Sequence, residues 1–170
     1  TAAVCALASA LVRARRPDGL VCILTADHII EDLHVFQRTL IEGFKVAAEG
    51  DVIVTIGIKT TCPHTGFGYI ETAASMGACH GIRFSKASRF VEKPDVATAR
   101  RYVSSGRYFW NAGMFIWSVA SLQEALRRHA PNLLAMARRL EKVAGKASFA
   151  RRLKTEYGRL EKISVDYAIM

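Results

Sequence analysis

No apolar run in this chain approaches the ~18–20 residues of a membrane-spanning helix. The stretches at residues 20–24 and 52–58 have the length of strands. No C-x-x-C pair occurs, and no histidine stands at zinc-finger spacing from Cys5, Cys22, Cys62 or Cys79. Zinc modules are therefore not indicated, and at this size free thiols suit a reducing compartment better than a disulfide framework does. Neither G-x-G-x-x-G nor G-x-x-x-x-G-K-[ST] is present, so a dinucleotide fingerprint and a P-loop are both unsupported. Four prolines and twelve glycines among 170 residues exclude collagen-like and low-complexity classes. What remains is 51% hydrophobic and 23% charged. That excludes a disordered chain and is enough to bury a real core.

The charge is uneven. Lys and Arg number 24 against 15 Asp and Glu, a net +9. Residues 127–162 hold eleven basic and three acidic side chains, so almost all the excess lies there. Aromatic interleaving of the kind a single-strand binder uses is missing from that stretch, which reads best as a solvated helical face. No nucleic-acid or membrane partner is expected. The chain opens at Thr1 inside a helical pattern with no basic-apolar-small leader, so a cytoplasmic location is expected.

Residues 2–14 are rich in Ala, Leu and Val and end in basic residues, a helix followed by a Pro17-Asp18-Gly19 turn. Residues 20–24 predict a strand buried on both faces. Leu33, Phe36, Leu40, Phe44 and Ala47 recur at helical spacing up to Gly50, and residues 52–58 predict a second buried strand. Helix, strand, helix, strand argues for an α/β domain with a parallel sheet. A Gly- and Pro-bearing loop at 62–69 leads to a short strand at 67–71. Residues 75–88 suggest a hairpin, and 89–92 a further strand. Asp95 predicts the cap of a helix over 96–104, ended by Gly106. Residues 108–118 read as a strand. From 119 to 160 the pattern is helical, broken at Pro131 and Gly145.

Ligands of open α/β sheets gather beyond the carboxyl ends of the strands. Asp27 follows the first strand, where it could hold a metal or polar substrate, or equally cap the next helix. Gly66 and Gly68 allow close backbone approach to a ligand, or simply make a turn. Glu92 and Lys93, stopped by Pro94, could take sugar hydroxyls and phosphate, or form an exposed charged turn. Asn111, among large apolar residues, needs partners from backbone or ligand. Asp166, between Val165 and Tyr167, calls for a counter-charge or metal if buried, and otherwise is exposed or caps a helix.

Taken in order, Thr25-Ala26-Asp27-His28, the stretch 63–70, Phe90-Val91-Glu92-Lys93-Pro94-Asp95, Trp110-Asn111-Ala112-Gly113-Met114-Phe115 and the closing 164–170 resemble the mannose-1-phosphate guanylyltransferase family. The resemblance covers essentially the whole chain. It implies a Rossmann-like nucleotidyltransferase domain over residues 1–170, with a mixed, mostly parallel sheet flanked by helices. The implied substrates are GTP and mannose 1-phosphate, the products GDP-mannose and pyrophosphate, and the cofactor Mg²⁺; a homo-oligomer is left open. Asp27 and Asp166 are implied metal ligands, and with Lys93 they form the implied catalytic set. Gly68, Glu92 and Asn111 are implied sugar contacts, Lys93 the sugar-phosphate contact, and Tyr69 part of the pocket wall.

Mild departures from the family pattern stand at Thr25, His64, Phe67 and Ala112, none of which removes a named polar group. Within residues 1–170 no counterpart of the family's opening Gly-rich phosphate loop is expected, and no further C-terminal domain. The expectation is thus the sugar- and metal-binding majority of a catalytic domain. The rival expectations are a nucleotidyltransferase for another sugar or base, and a non-catalytic relative that kept the pocket.

Overall fold

The computed structural model describes residues 1–170. In chain order the elements are α1 (Ala2–Arg13), β1 (Leu20–Ile23), α2 (Leu33–Glu49), β2 (Ile53–Lys59), β3 (Tyr69–Cys79), β4 (Ile82–Val91), α3 (Val96–Ser105), β5 (Tyr108–Ser118), α4 (Val119–His129), α5 (Pro131–Glu141), α6 (Phe149–Tyr157) and α7 (Val165–Ile169). The strands form one five-stranded sheet in the order β1-β5-β3-β4, with β2 also pairing β5. The chain is therefore α/β, a central sheet flanked by helices. No helix is long and apolar enough to cross a membrane.

Two compact units divide the chain. One comprises Thr1–Ile23, Phe44–Ile53 and Ile116–Met170, the other Leu24–Gly43 and Val54–Phe115.

The first unit is mainly helical. The buried face of α1 is made of small residues, Ala2, Cys5, Ala6, Ser9 and Ala10, which lets α4, α5 and α7 approach closely. Leu122, Met136 and Leu140 are fully buried there, and burying such a side chain contributes roughly 1.5–3 kcal/mol. Trp117 is fully buried too, and its indole N–H donates to Ser9 Oγ at 2.9 Å, which removes the cost of an unpaired buried donor. Burial pushes the Cys5 thiol up to about 11, so it behaves as a small hydrophobe. Residues 119–160 divide into three helices, with Pro131 at the start of α5, where its missing N–H costs nothing. Part of the basic segment is committed to structure. Arg139 makes two hydrogen bonds, at 2.9 and 2.8 Å, to the buried carboxylate of Glu156, and from outside the segment Arg13 reaches Glu141 at 3.1 Å.

The second unit is built on antiparallel pairing. Tyr69 of β3 faces Val91 of β4 on one side and Trp110 of β5 on the other. The short strands expected at 67–71 and 89–92 are the ends of one long hairpin formed by β3 and β4. α3 is capped as expected: Asp95 Oδ1 accepts from the Thr98 N–H at 2.8 Å, and Gly106 closes the helix with φ +66°. Those hydrogen bonds hold the Asp95 carboxyl below its ordinary range.

The two expected buried strands need correction. The runs at 20–24 and 52–58 are not buried on both faces; β1 is half-buried apart from Val21, and the end of β2 is exposed. Each pairs with β5 alone, so each has one edge without a strand neighbour. The tail around Asp166 is the short helix α7, capped by Ser164, whose Oγ accepts from the Tyr167 N–H at 3.3 Å.

Candidate active site

The second unit brings the loop before β3, the end of β4 and the middle of β5 to one place. The Lys93 N–H donates to the Phe67 carbonyl at 3.3 Å, and the Asn111 N–H donates to the Gly68 carbonyl at 2.8 Å. Gly68 therefore lies between Glu92 and Asn111. A Cβ on Gly68 would fall 2.7 Å from Glu92 Oε2 and 3.6 Å from Asn111 Cβ. Only glycine leaves room for that carboxylate, a sharper reason than turn-making.

The Glu92 side chain is about one-quarter exposed, and its Oε1 lies 3.7 Å from Lys93 Nζ. Acid and base are thus presented together at the strand end, the carboxylate sheltered and the ammonium in solvent. Lys93 adopts φ +45° although it precedes Pro94. The left-handed region is costly for a side chain with a Cβ, and a residue before proline favours extended backbone. Such strain is commonest where a site demands a particular direction of the chain.

Asn111 is oriented by its neighbours. Its Oδ1 accepts from the Gly113 N–H at 3.1 Å and from Thr55 Oγ1 at 3.2 Å. These two contacts fix the orientation of the side-chain amide. Thr55 is not evident from sequence, because a threonine inside Ile53-Val54-Thr55-Ile56 reads as an ordinary strand former.

The Tyr69 expected in the pocket wall is fully buried. It packs with Ala99 and Tyr108, and its hydroxyl donates to the His64 carbonyl at 2.8 Å. Tyr69 therefore braces the loop from the core side. The exposed aromatic surface belongs to Phe67, stacked on His64 with centroids 4.0 Å apart and edge-on to Trp110 at 5.3 Å. The Trp110 indole N–H is buried without a partner.

Asp27 stands in the loop after β1, its side chain 87% exposed, with Oδ1 3.5 Å from His28 Nδ1. His28 is held in turn by a hydrogen bond with the Thr25 hydroxyl. The loop reaches β5: a Cβ on Gly113 would lie 3.4 Å from the Thr25 methyl. Asp27 does not cap the following helix. Asp32 does, its Oδ1 accepting from the Val35 N–H at 2.9 Å. Of the two roles open to Asp27, capping is thus taken elsewhere. Asp166 belongs to the first unit, in the first turn of α7, half-exposed. Its carboxylate therefore does not carry the full cost of burial.

The arrangement offers a sheltered carboxylate and an oriented amide for hydroxyl groups, a solvent-facing ammonium for an anion, and exposed carboxylate oxygens suited to a hard cation.

Comparison with known proteins identifies the family of the chain. The nucleotidyl transferase family profile matches residues 1–154. The xanthan biosynthesis protein XanB of Xanthomonas campestris pv. campestris (strain B100) is 39% identical over 168 residues, 97% of this chain and 34% of its own length. The mannose-1-phosphate guanylyltransferase of Escherichia coli (strain K12) is 36% identical over 174 residues, 100% of this chain and 36% of its own. A crystal structure from Thermus thermophilus, described as a mannose-1-phosphate geranyltransferase, superposes with a TM-score of 0.84 at 32% identity, covering 100% of this chain and 46% of that one. The chain spans about a third of the length of these curated relatives. With a family match over most of its residues, this chain belongs to the nucleotidyl transferase family.

Proposed function

We propose that the protein binds mannose 1-phosphate and takes part in guanylyl transfer from GTP, giving GDP-mannose and pyrophosphate. The observation that carries this reading is the placing of Glu92 against the bare backbone of Gly68, with Asn111 on the other side and Lys93 next in sequence. Glu92 accepts hydrogen bonds from sugar hydroxyls, the Asn111 amide donates to another, and Lys93 Nζ meets the phosphate. The sugar phosphate is thereby held with its phosphate oxygen free to attack the α-phosphorus of the nucleotide in line. Orientation of this kind replaces much of the entropy a bimolecular step would lose. No covalent nucleophile on the protein is required.

Asp27 and Asp166 are the residues that would hold Mg²⁺. The fit rests on Asp27: its oxygens are hard donors, exposed, and not used as a helix cap. When bound, Mg²⁺ offsets the repulsion between two polyanions. The exposed thiols of Cys62 and Cys79 suit a reducing, cytoplasmic setting. Guanine as the base, and mannose as the sugar, are supported by the name of the Escherichia coli relative.

The test is calorimetric titration of mannose 1-phosphate into the protein and into Glu92→Gln. Loss of a charged hydrogen-bond acceptor is expected to cost about 1.5–3 kcal/mol, a roughly 10- to 150-fold weaker Kd, with GTP binding unchanged. Equal affinity in both proteins would exclude Glu92 as a sugar contact.

A further inference from the structure

The tip of the β3–β4 hairpin carries a second constellation of ligating side chains, apart from the site above and independent of its reading. β3 ends at Cys79, which pairs with Ile82, the first residue of β4. The two residues between them, His80 and Gly81, take φ +49° and +83°. Positive φ at both central positions marks the tight two-residue turn that matches strand twist. Glycine adopts it freely, whereas His80 does so at a cost.

The hairpin tip is docked on α2. Arg38 Nη1 donates to the His80 carbonyl at 3.3 Å. Glu42, one turn further along the helix, is buried, and its Oε1 lies 2.9 Å from His80 Nδ1. Cys79 Sγ lies 3.4 Å from the same nitrogen. Carboxylate oxygen, thiol sulfur and imidazole nitrogen all fall within 4.8 Å of one another. An open depression of about 600 Å³ adjoins Glu42 and His80, lined also by His34 and Gln37.

We propose that Glu42, Cys79 and His80 form a Zn²⁺ site, with water in the fourth position. Zn²⁺ takes sulfur at about 2.3 Å and nitrogen or oxygen at about 2.0–2.2 Å in a tetrahedron. Ligand atoms in such a shell stand roughly 3.3–3.7 Å apart. The sulfur–nitrogen pair already has that spacing, and the nitrogen–oxygen pair needs to open by about half an ångström. One mixed thiolate, imidazole and carboxylate set favours zinc over Mg²⁺ or Ca²⁺. A thiolate and a carboxylate neutralise the dication, and binding releases the thiol proton to solvent. The ion would tie the hairpin tip to α2, two elements that are far apart in sequence.

The test uses reduced, metal-free protein titrated with Zn²⁺ and separately with Co²⁺. The expected result is one ion per chain, with a thiolate-to-cobalt charge-transfer band and tetrahedral d–d bands for Co²⁺. Zn²⁺ should raise Tm. Cys79→Ser should abolish the charge-transfer band, and His80→Gln should weaken Zn²⁺ binding more than about tenfold. Cys62→Ser, at the other exposed thiol, should change neither. Cys79 and His80 are exposed, so these variants keep the fold, whereas the buried Glu42 is left unchanged. A cobalt complex without a thiolate band, or Zn²⁺ bound as tightly by Cys79→Ser and His80→Gln as by the unmodified protein, would overturn the proposal.

Discussion

The carboxylate of Glu92 occupies the space that a side chain on Gly68 would fill: a Cβ there would sit 2.7 Å from Oε2. Gly68→Ala should therefore displace Glu92 rather than the backbone. The expected outcome is a fold of nearly unchanged Tm and a mannose 1-phosphate affinity reduced by about tenfold or more. Titration of the sugar phosphate alongside a thermal melt checks both halves. A large loss of Tm would instead assign Gly68 to the fold.

Lys93 gives a prediction that separates backbone from side chain. Its φ of +45° before Pro94 is tolerated by glycine and strained for alanine. Lys93→Gly should be more stable than Lys93→Ala by about 1 kcal/mol. Both variants lose the ammonium, so both should bind the sugar phosphate more weakly than the parent. Equal stability of the two, measured by denaturant unfolding, would mean that the left-handed conformation stores no strain.

Much of this site is legible in the sequence, and the parts that are not have physical reasons. Glu92, Lys93, Gly68 and Asn111 stand in short stretches whose residue types are unusual for their surroundings, and the structure brings them together. Asp95 and Gly106 mark the ends of α3 because capping chemistry is local. The hairpin extends beyond its apolar pattern because residues 73–79 of β3 are exposed throughout, so no apolar alternation betrays the strand. Register shifts between Glu71 and Gly77 disturb its period of two as well. Tyr69 turns to the core rather than the pocket, and sequence shows only that an aromatic is near a loop, not which way it points. Thr55 leaves no signal at all, since its role depends on an Asn 56 positions away.

Asp27 and Asp166 supply a prediction about the metal. If both hold the proposed Mg²⁺, Asp27→Asn and Asp166→Asn in catalytically active enzyme should each lower kcat by about 100-fold or more, since that ion would supply several kcal/mol to the transition state. Their combined effect should then fall well short of the product, because losing either ligand would disable the same ion. A double-mutant cycle with Mg²⁺ varied over a wide range decides it. Fully additive losses with an unaltered Mg²⁺ dependence would show two independent roles.

The buried Glu156 predicts an acid limb of stability. Hydrogen bonds from Arg139 hold its carboxyl below the ordinary value of 4.5. The folded protein therefore resists protonating this group more than the unfolded chain does. The stability it contributes is fully present above that ordinary value, and is lost as pH falls through the lower folded pKa. Glu156→Gln should lower Tm at about pH 7 and show a smaller further drop on acidification. Thermal melts between about pH 7 and pH 3 test this. An unchanged acid limb would assign the loss to other carboxylates.

The hydrogen bond from Trp117 to Ser9 spans 108 positions, and this has a consequence for biosynthesis. The buried face of α1 closes against α4, α5 and α7, all of which lie after residue 118. At translation rates of about 5–20 residues per second, roughly 5–20 s pass between the emergence of Ser9 and that of Trp117. Residues 54–115, most of the unit that carries the candidate site, are complete before then. The small-residue face of α1 consequently waits on the ribosome for its partners, while the unit that carries the candidate site can already condense.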